Sequence, residues 1–275
     1  MIVVTGATGG VGREVVRRLA AVGRPVRALS RRPETLDVPA GVEIGRGDLA
    51  DPATLTDAFA GADALFLYAT FGDPRIPVEA AKAAGVRRIV LLSSIAVESA
   101  GPDNPIGDHH RAVESAIEES GLAWTHLRPG GFASNALWWA PEVREGVVRG
   151  AYPSASTAPI DPVDIAAVGV HALTEDGHAG TAYPLSGPEW LSQADQVRII
   201  GEVLGRPVRY EQVSVEEALE VMARNIDARY ARGALEIQKK LLDQPPVVLP
   251  TVEKVTGRPA RTFAEWVAAN ADAFR

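Results

Sequence analysis

Thr5-Gly-Ala-Thr-Gly-Gly-Val-Gly12 decides how this chain is read. It follows the apolar, β-branched run Met1-Ile-Val-Val4, which reads as a buried strand. It opens a segment, Gly10 to Val22, in which Val11, Val15, Val16, Leu19 and Ala20 fall at helical spacing. Arg13, Glu14, Arg17 and Arg18 take the other face, as an amphipathic helix requires. In a strand–turn–helix unit of this kind Gly6 supplies the tight turn. Gly9 lets the backbone approach a pyrophosphate, and Gly12 lets helix and strand pack closely. The free N–H groups at the helix start then favour anionic phosphates. A glycine-rich turn with no ligand is the competing reading, but strand, helix and position all agree on a dinucleotide. Gly6, Thr8, Gly9, Gly10, Val11 and Gly12 are its expected contacts.

Strand and helix signals alternate outward from this loop. Pro25 to Ser30, Val42 to Gly45, Asp63 to Tyr68, Arg88 to Ser93 and Ala123 to Leu127 read as further strands. Helices are expected from Asp51, a capping residue followed by Pro52, from Pro77 to Gly85, and from His109 to Ser120. The order points to an α/β fold, a Rossmann-type doubly wound parallel sheet with a smaller mixed α/β C-terminal lobe. Residues 1–130 form the expected core, completed by about 160–186, with 131–159 and 187–275 as the smaller lobe. Within that lobe Gln193 to Leu204 and Val215 to Leu241 read as mainly helical, as does the tail Thr262 to Phe274. Pro162 to Leu173 reads as a helix and Thr181 to Leu185 as a strand of the core.

Which dinucleotide binds is read from the end of the second strand. An NAD site places an acid there for the ribose hydroxyls. This chain has Ser30-Arg31-Arg32, and two guanidinium groups suit a 2′-phosphate. NADP(H) is the expected cofactor. Asp48 and Leu49, after the third strand, are expected beside the adenine, the carboxylate accepting from its amino group and Leu49 packing on the ring.

Composition narrows the classes further. The 275 residues carry a net charge of −7 with no basic stripe, which argues against nucleic acid as a partner. No apolar run approaches the roughly 20 residues of a membrane helix. The start of the sequence shows neither a basic segment nor a long apolar stretch, so a cytoplasmic location is expected. With no cysteine, thiol catalysis and Cys-ligated metal are excluded. His126, His171 and His178 show no metal-ligand spacing, and no metal is expected. The paired acids Glu118-Glu119 and Glu216-Glu217 read as solvated helix faces, and a homodimer is compatible with the sequence.

The chain resembles the NmrA-like group of atypical short-chain dehydrogenase/reductases. The likeness rests on Thr5 to Gly12, Ser93-Ser94, Glu114 through Gly121 leading to Leu127-Arg-Pro-Gly-Gly-Phe132, and Asn135. It continues through Pro162 to Ala166, Tyr183 to Pro188 and Thr256 to Phe263. The group includes NAD(P)H-dependent quinone reductases and catalytically silent NADP-sensing regulators. The resemblance implies that Ala69, Thr70, Phe71 and Ser93-Ser94 line the cofactor, and that Pro129, Gly130 and Phe132 border the nicotinamide.

One departure bears on the chemistry. Short-chain dehydrogenases usually carry Tyr-x-x-x-Lys after the fifth strand, and none of the five tyrosines here has a lysine four residues on. Counted back from Glu114, the two places hold Ile106 and His110. Alcohol–ketone chemistry through that relay is therefore put in doubt, whereas a quinone depends less on a strong acid. His110 is a candidate proton donor or ribose contact, against a plain surface pair with Glu114; His109 is a weaker one, against packing with Val113. Phe71, Phe132, Trp138, Trp139 and Tyr152 are candidates to wall a flat substrate, though core packing explains most of them equally well. Two successive tryptophans beside Pro141 are hard to bury together, so one is expected to face a pocket. Asn135 is a hydrogen-bond anchor or a helix cap. The leading function is NADPH-dependent reduction of a quinone-like or conjugated aromatic carbonyl compound. A reductase whose reduced product then reacts with oxygen fits the same residues, as does a non-catalytic NADP(H) sensor.

Overall fold

A computed structural model describes residues 1–69, 72–99, 104–224, 227–243 and 247–275. Thr70 and Phe71 therefore lie outside the described residues. The first half alternates β1 (Ile2–Val4), α1 (Gly10–Ala21), β2 (Val26–Ser30), β3 (Glu43–Arg46), α2 (Pro52–Phe59) and β4 (Ala64–Tyr68). It continues with α3 (Arg75–Ala83), β5 (Arg88–Leu92), α4 (Pro105–Glu119) and β6 (Ala123–Pro129). Then follow α5 (Ala140–Glu145), β7 (Val147–Gly150), β8 (Ser156–Thr157), α6 (Pro162–Thr174) and β9 (Thr181–Leu185). The remainder holds β10 (Leu191–Ser192), α7 (Gln193–Leu204), β11 (Arg209–Gln212), α8 (Val215–Ala223), α9 (Ala228–Lys240), α10 (Thr251–Thr256) and α11 (Phe263–Ala269).

The chain divides into two units. The first comprises Met1–Pro129, Pro162–Leu185 and Thr251–Arg258. Its seven strands run in the order β3-β2-β1-β4-β5-β6-β9, every pair parallel. This is the α/β Rossmann-type sheet that the alternating pattern implies. Strand order reverses at β1, which pairs with β2 on one side and β4 on the other, and a crevice at the carboxyl ends of such strands is where ligands bind. Leu65, Leu67, Ile89 and Leu91 are apolar because helices cover the sheet; they pack with Leu55 and Phe59 of α2, Val78 of α3, and Val113 and Ile117 of α4.

Helix starts follow their caps. Asp51 accepts from Ala53 N ahead of Pro52, as its sequence signal requires. The helix expected from His109 begins earlier, at Pro105, because Asn104 caps it by accepting from Gly107 N. His109 and His110 therefore lie a full turn inside α4, not at its start. The helix read from Pro77 likewise begins at Arg75.

The second unit comprises Gly130–Asp161, Ser186–Pro250 and Pro259–Arg275. It holds two small sheets, β10 with β8 antiparallel and β11 with β7 parallel. Its core gathers Val143, Val148, Val197, Ile200, Phe263, Trp266, Val267 and Phe274. The stretch read as mainly helical from Val215 to Leu241 holds two helices, α8 and α9. The tail splits similarly into α11, opened by a Thr262–Glu265 capping box, and a 3₁₀ turn at Ala271–Phe274. The short elements α5, β7, β8, β10 and α10 had no periodic signal to reveal them. No described helix is long and apolar enough to cross a membrane.

Candidate functional site

The loop between β1 and α1 has the shape a pyrophosphate needs. Gly6 has φ +63°, a conformation that costs glycine little, and its carbonyl accepts from Gly9 N at 2.9 Å. A Cβ on Gly12 would fall inside the van der Waals radius of Gly6 O, so only glycine lets the helix start lie this close to the loop. α1 follows Gly9 with no capping side chain and no acid in its first turn. By contrast α2, α4, α7, α8 and α11 each have one. The first-turn N–H groups of α1 are thus left for an anion, and the residues present fit a dinucleotide. Thr8, Gly9 and Gly10 are exposed, while Val11 and Gly12 are buried.

At the carboxyl end of β2, Arg32 N donates to Ser30 Oγ at 3.0 Å, which turns the chain back. Arg31 and Arg32 are both exposed, and neither pairs with an acid among the described residues. Asp48 uses one carboxylate oxygen to accept from Ala50 N at 3.0 Å. Leu49 is buried in the sheet's core, and Ala69 lies in the same cluster.

Beyond β5 the structure assembles a network that spacing did not reveal. The fully buried Glu114 carboxylate accepts from Ser93 Oγ at 2.7 Å and from Arg128 Nε and Nη2 at 2.9 and 2.8 Å. Arg111 adds a contact at 3.3 Å. Burial alone would push the Glu114 carboxyl up, but Arg128 and Ser93 hold it below the usual carboxylate range. Ser93 spends its proton on Glu114. Ser94 Oγ instead accepts from Ala96 N at 3.2 Å and donates to no polar group among the described residues. His126, also fully buried, places Nε2 3.1 Å from Glu118 and stacks on Trp124 with centroids 4.4 Å apart. Burial holds its pKa below the ordinary histidine value. Ligand atoms of Glu114, Glu118 and His126 come within 4.8 Å of one another, although Arg128 already occupies Glu114. Glu118 is thus a partner of His126 and more than a solvated face.

His110 is half-buried, and its Nδ1 has no hydrogen-bond partner among the described residues. The surface pair with Glu114 does not form, because that carboxylate is buried and saturated. Burial, helped by His109, pushes the His110 pKa down to about 4, so its imidazole is neutral at ordinary pH. The two rings meet edge to face with centroids 5.7 Å apart.

A family of NAD(P)H-binding proteins matches residues 6–176. The chain belongs to that NAD(P)H-binding family, as an NmrA-like atypical short-chain dehydrogenase/reductase. It is 45% identical to the (4-alkanoyl-5-oxo-2,5-dihydrofuran-3-yl)methyl phosphate reductase of Streptomyces griseus, across 100% of this chain and 99% of that one. It is 39% identical to the NAD(P)H azoreductase of Xenophilus azovorans, over 100% and 99% of the two chains. The Escherichia coli NADPH-dependent quinone oxidoreductase, solved with NADPH, superposes with a TM-score of 0.83 at 27% identity, covering 98% of this chain and 100% of that one. The chain is an NAD(P)H-dependent reductase.

In this NmrA-like reductase the remaining candidates are placed as follows. Pro129 ends β6 in the first unit. Gly130 and Phe132 belong to the second, where Phe132 bridges to Ile160. Asn135, Trp138 and Trp139 lie on one 3₁₀ stretch, Ala133–Trp139. Trp138 is 42% exposed, whereas Trp139 packs against the second unit's core. Asn135 is exposed and does not cap the next helix. Tyr152 is half-buried against Ala151, Ala218 and Leu235.

Proposed function

We propose that this chain uses NADPH to reduce a conjugated carbonyl compound, either an unsaturated lactone or a quinone. What carries the reading is the full-length likeness to a reductase of an unsaturated furanone, on a chain that lacks Tyr-x-x-x-Lys. NADPH, when bound, supplies hydride. Preference for NADPH over NADH rests on Arg31 and Arg32, two guanidinium groups with no competing acid.

Hydride added at the carbon conjugated to a carbonyl moves negative charge onto an oxygen and spreads it over the conjugated system. A donor weaker than an activated tyrosine then suffices. Ser94 supplies such a donor, since its proton goes to no polar group among the described residues. Neutral His110, standing in the lysine's place, holds a ribose hydroxyl or the substrate oxygen through one ring nitrogen. Asn135 and Trp138 share a face, because residues three apart eclipse in a 3₁₀ turn. Within the second unit alone, that amide and that indole suit a flat compound that carries a carbonyl.

The test is anaerobic NADPH consumption with a quinone, an azo compound and an unsaturated lactone, using NADPH deuterated at the nicotinamide. Turnover is the expected result, with deuterium carried on the ring carbon β to the carbonyl when the unsaturated lactone is the acceptor. Tight binding of both NADP+ and NADPH with no turnover of any of these acceptors would sink the proposal.

A further inference from the structure

We propose that Tyr68 belongs to the cofactor site, its ring lying along the dinucleotide and its phenol donating to the nicotinamide-side phosphate. Every other residue of β4 is buried, yet Tyr68, at the strand's carboxyl end, is 48% exposed. Leu65 and Leu67 point into the sheet's core, so by strand alternation Phe66 and Tyr68 share the opposite face.

Two observations tie Tyr68 to the phosphate loop. Its N–H donates to Thr5 Oγ1 at 2.7 Å, and that hydroxyl donates to Phe66 O at 3.1 Å. Thr5 N also donates to Phe66 O, at 3.0 Å, so the last residue before the loop is clamped to the end of β4. The root of the ring also lies against Gly6: a Cβ there would stand 3.0 Å from Tyr68 Cβ and 3.3 Å from Cγ. Gly6 is thus needed for its positive φ and for the space Tyr68 takes.

The phenol has no hydrogen-bond partner among the described residues. An amphipathic ring with an open donor beside an uncapped helix start matches a ribose–phosphate, the sugar on its face and the anion at its tip. Strand order assigns the end. Arg31 and Arg32 follow β2, on one side of β1, and Tyr68 follows β4, on the other. The adenosine 2′-phosphate belongs to the β2 side and the nicotinamide half to the β4 side.

This inference rests on NAD(P)H binding and not on the identity of the acceptor. Its test is the Kd of two ligands by titration calorimetry: NADPH, and adenosine 2′,5′-bisphosphate, which lacks the nicotinamide-side phosphate. Tyr68→Phe should raise the Kd for NADPH about tenfold, the loss of one charge-assisted hydrogen bond, and Tyr68→Ala should raise it further. Neither should move the Kd for the bisphosphate by more than about twofold, a result that also shows the loop intact. Arg32→Ala should weaken both ligands. The assignment is overturned if Tyr68→Phe leaves NADPH binding unchanged, or if the Tyr68 variants weaken both ligands equally. Should Tyr68→Ala not fold, Tyr68→Phe alone decides.

Discussion

His110 shows how one residue's role changes between sequence and structure. Four residues before Glu114, it reads on a helical wheel as half of a surface ion pair. Folding buries it beside a carboxylate already held by Arg128 and Ser93, and its pKa falls to about 4. The folded state therefore binds fewer protons than the unfolded state between the ordinary histidine value of 6.5 and about 4. Stability contributed by neutral His110 is present above that window and lost as pH falls through it. His126, also held low by burial, acts in the same direction. His110→Gln should shrink the drop in urea midpoint between pH of about 7 and about 5, leaving the share due to His126. An unchanged drop would show that His110 is solvated in the native state. At the same scale the tryptophan pair separates: Trp139 packs, partly buried, against the second unit's core and Trp138 stays exposed, a choice that two identical adjacent residues cannot announce in sequence.

Among elements, the pairing of α4 with β6 depends on a polar tether as well as on Val113 and Ile117. Glu114 on α4 takes two parallel hydrogen bonds from Arg128 on β6 and fixes Ser93 at the end of β5. Removing one partner strands a buried charge. Glu114→Gln should therefore cost about 3 kcal/mol, the low end for a broken buried pair because Arg128 keeps some solvent contact. Glu114→Leu combined with Arg128→Met should recover part of that loss, since no charge is then left uncompensated. A loss under about 1 kcal/mol for Glu114→Gln, read from urea denaturation, would contradict the tether. Element existence was legible wherever an apolar period was long: β1, α1, β4, β5, α7 and β9 lie where their patterns place them. Boundaries shifted where a capping residue decided them, as Asn104 does for α4. The break between α8 and α9 stands beside Asp227, a residue of low helix propensity that a mainly helical reading of the stretch passed over.

Over the whole molecule, the parallel sheet with its strand-order reversal at β1 places the loop, Arg31-Arg32 and the end of β4 along one edge of the first unit. A ligand that binds only the folded chain stabilises it by mass action, about 2.7 kcal/mol at a hundredfold excess over Kd. NADPH should raise Tm more than NADH at equal concentration, and an Arg31→Ala/Arg32→Ala variant should lose that difference while retaining a response to both. An equal response of the parent chain to the two cofactors would remove the case for the 2′-phosphate. The sequence alone determined the sheet, the phosphate loop and the cofactor class, because each depends on local periods and on glycines that act within a few residues. It also showed the missing Tyr-x-x-x-Lys pair. Only the tertiary structure decided that Glu114 is a buried anchor, that His110 is neutral, that Glu118 meets His126 and that Tyr68 stands beside Gly6. Those properties depend on what burial and parallel strand pairing bring together across dozens of residues, and no local period records that.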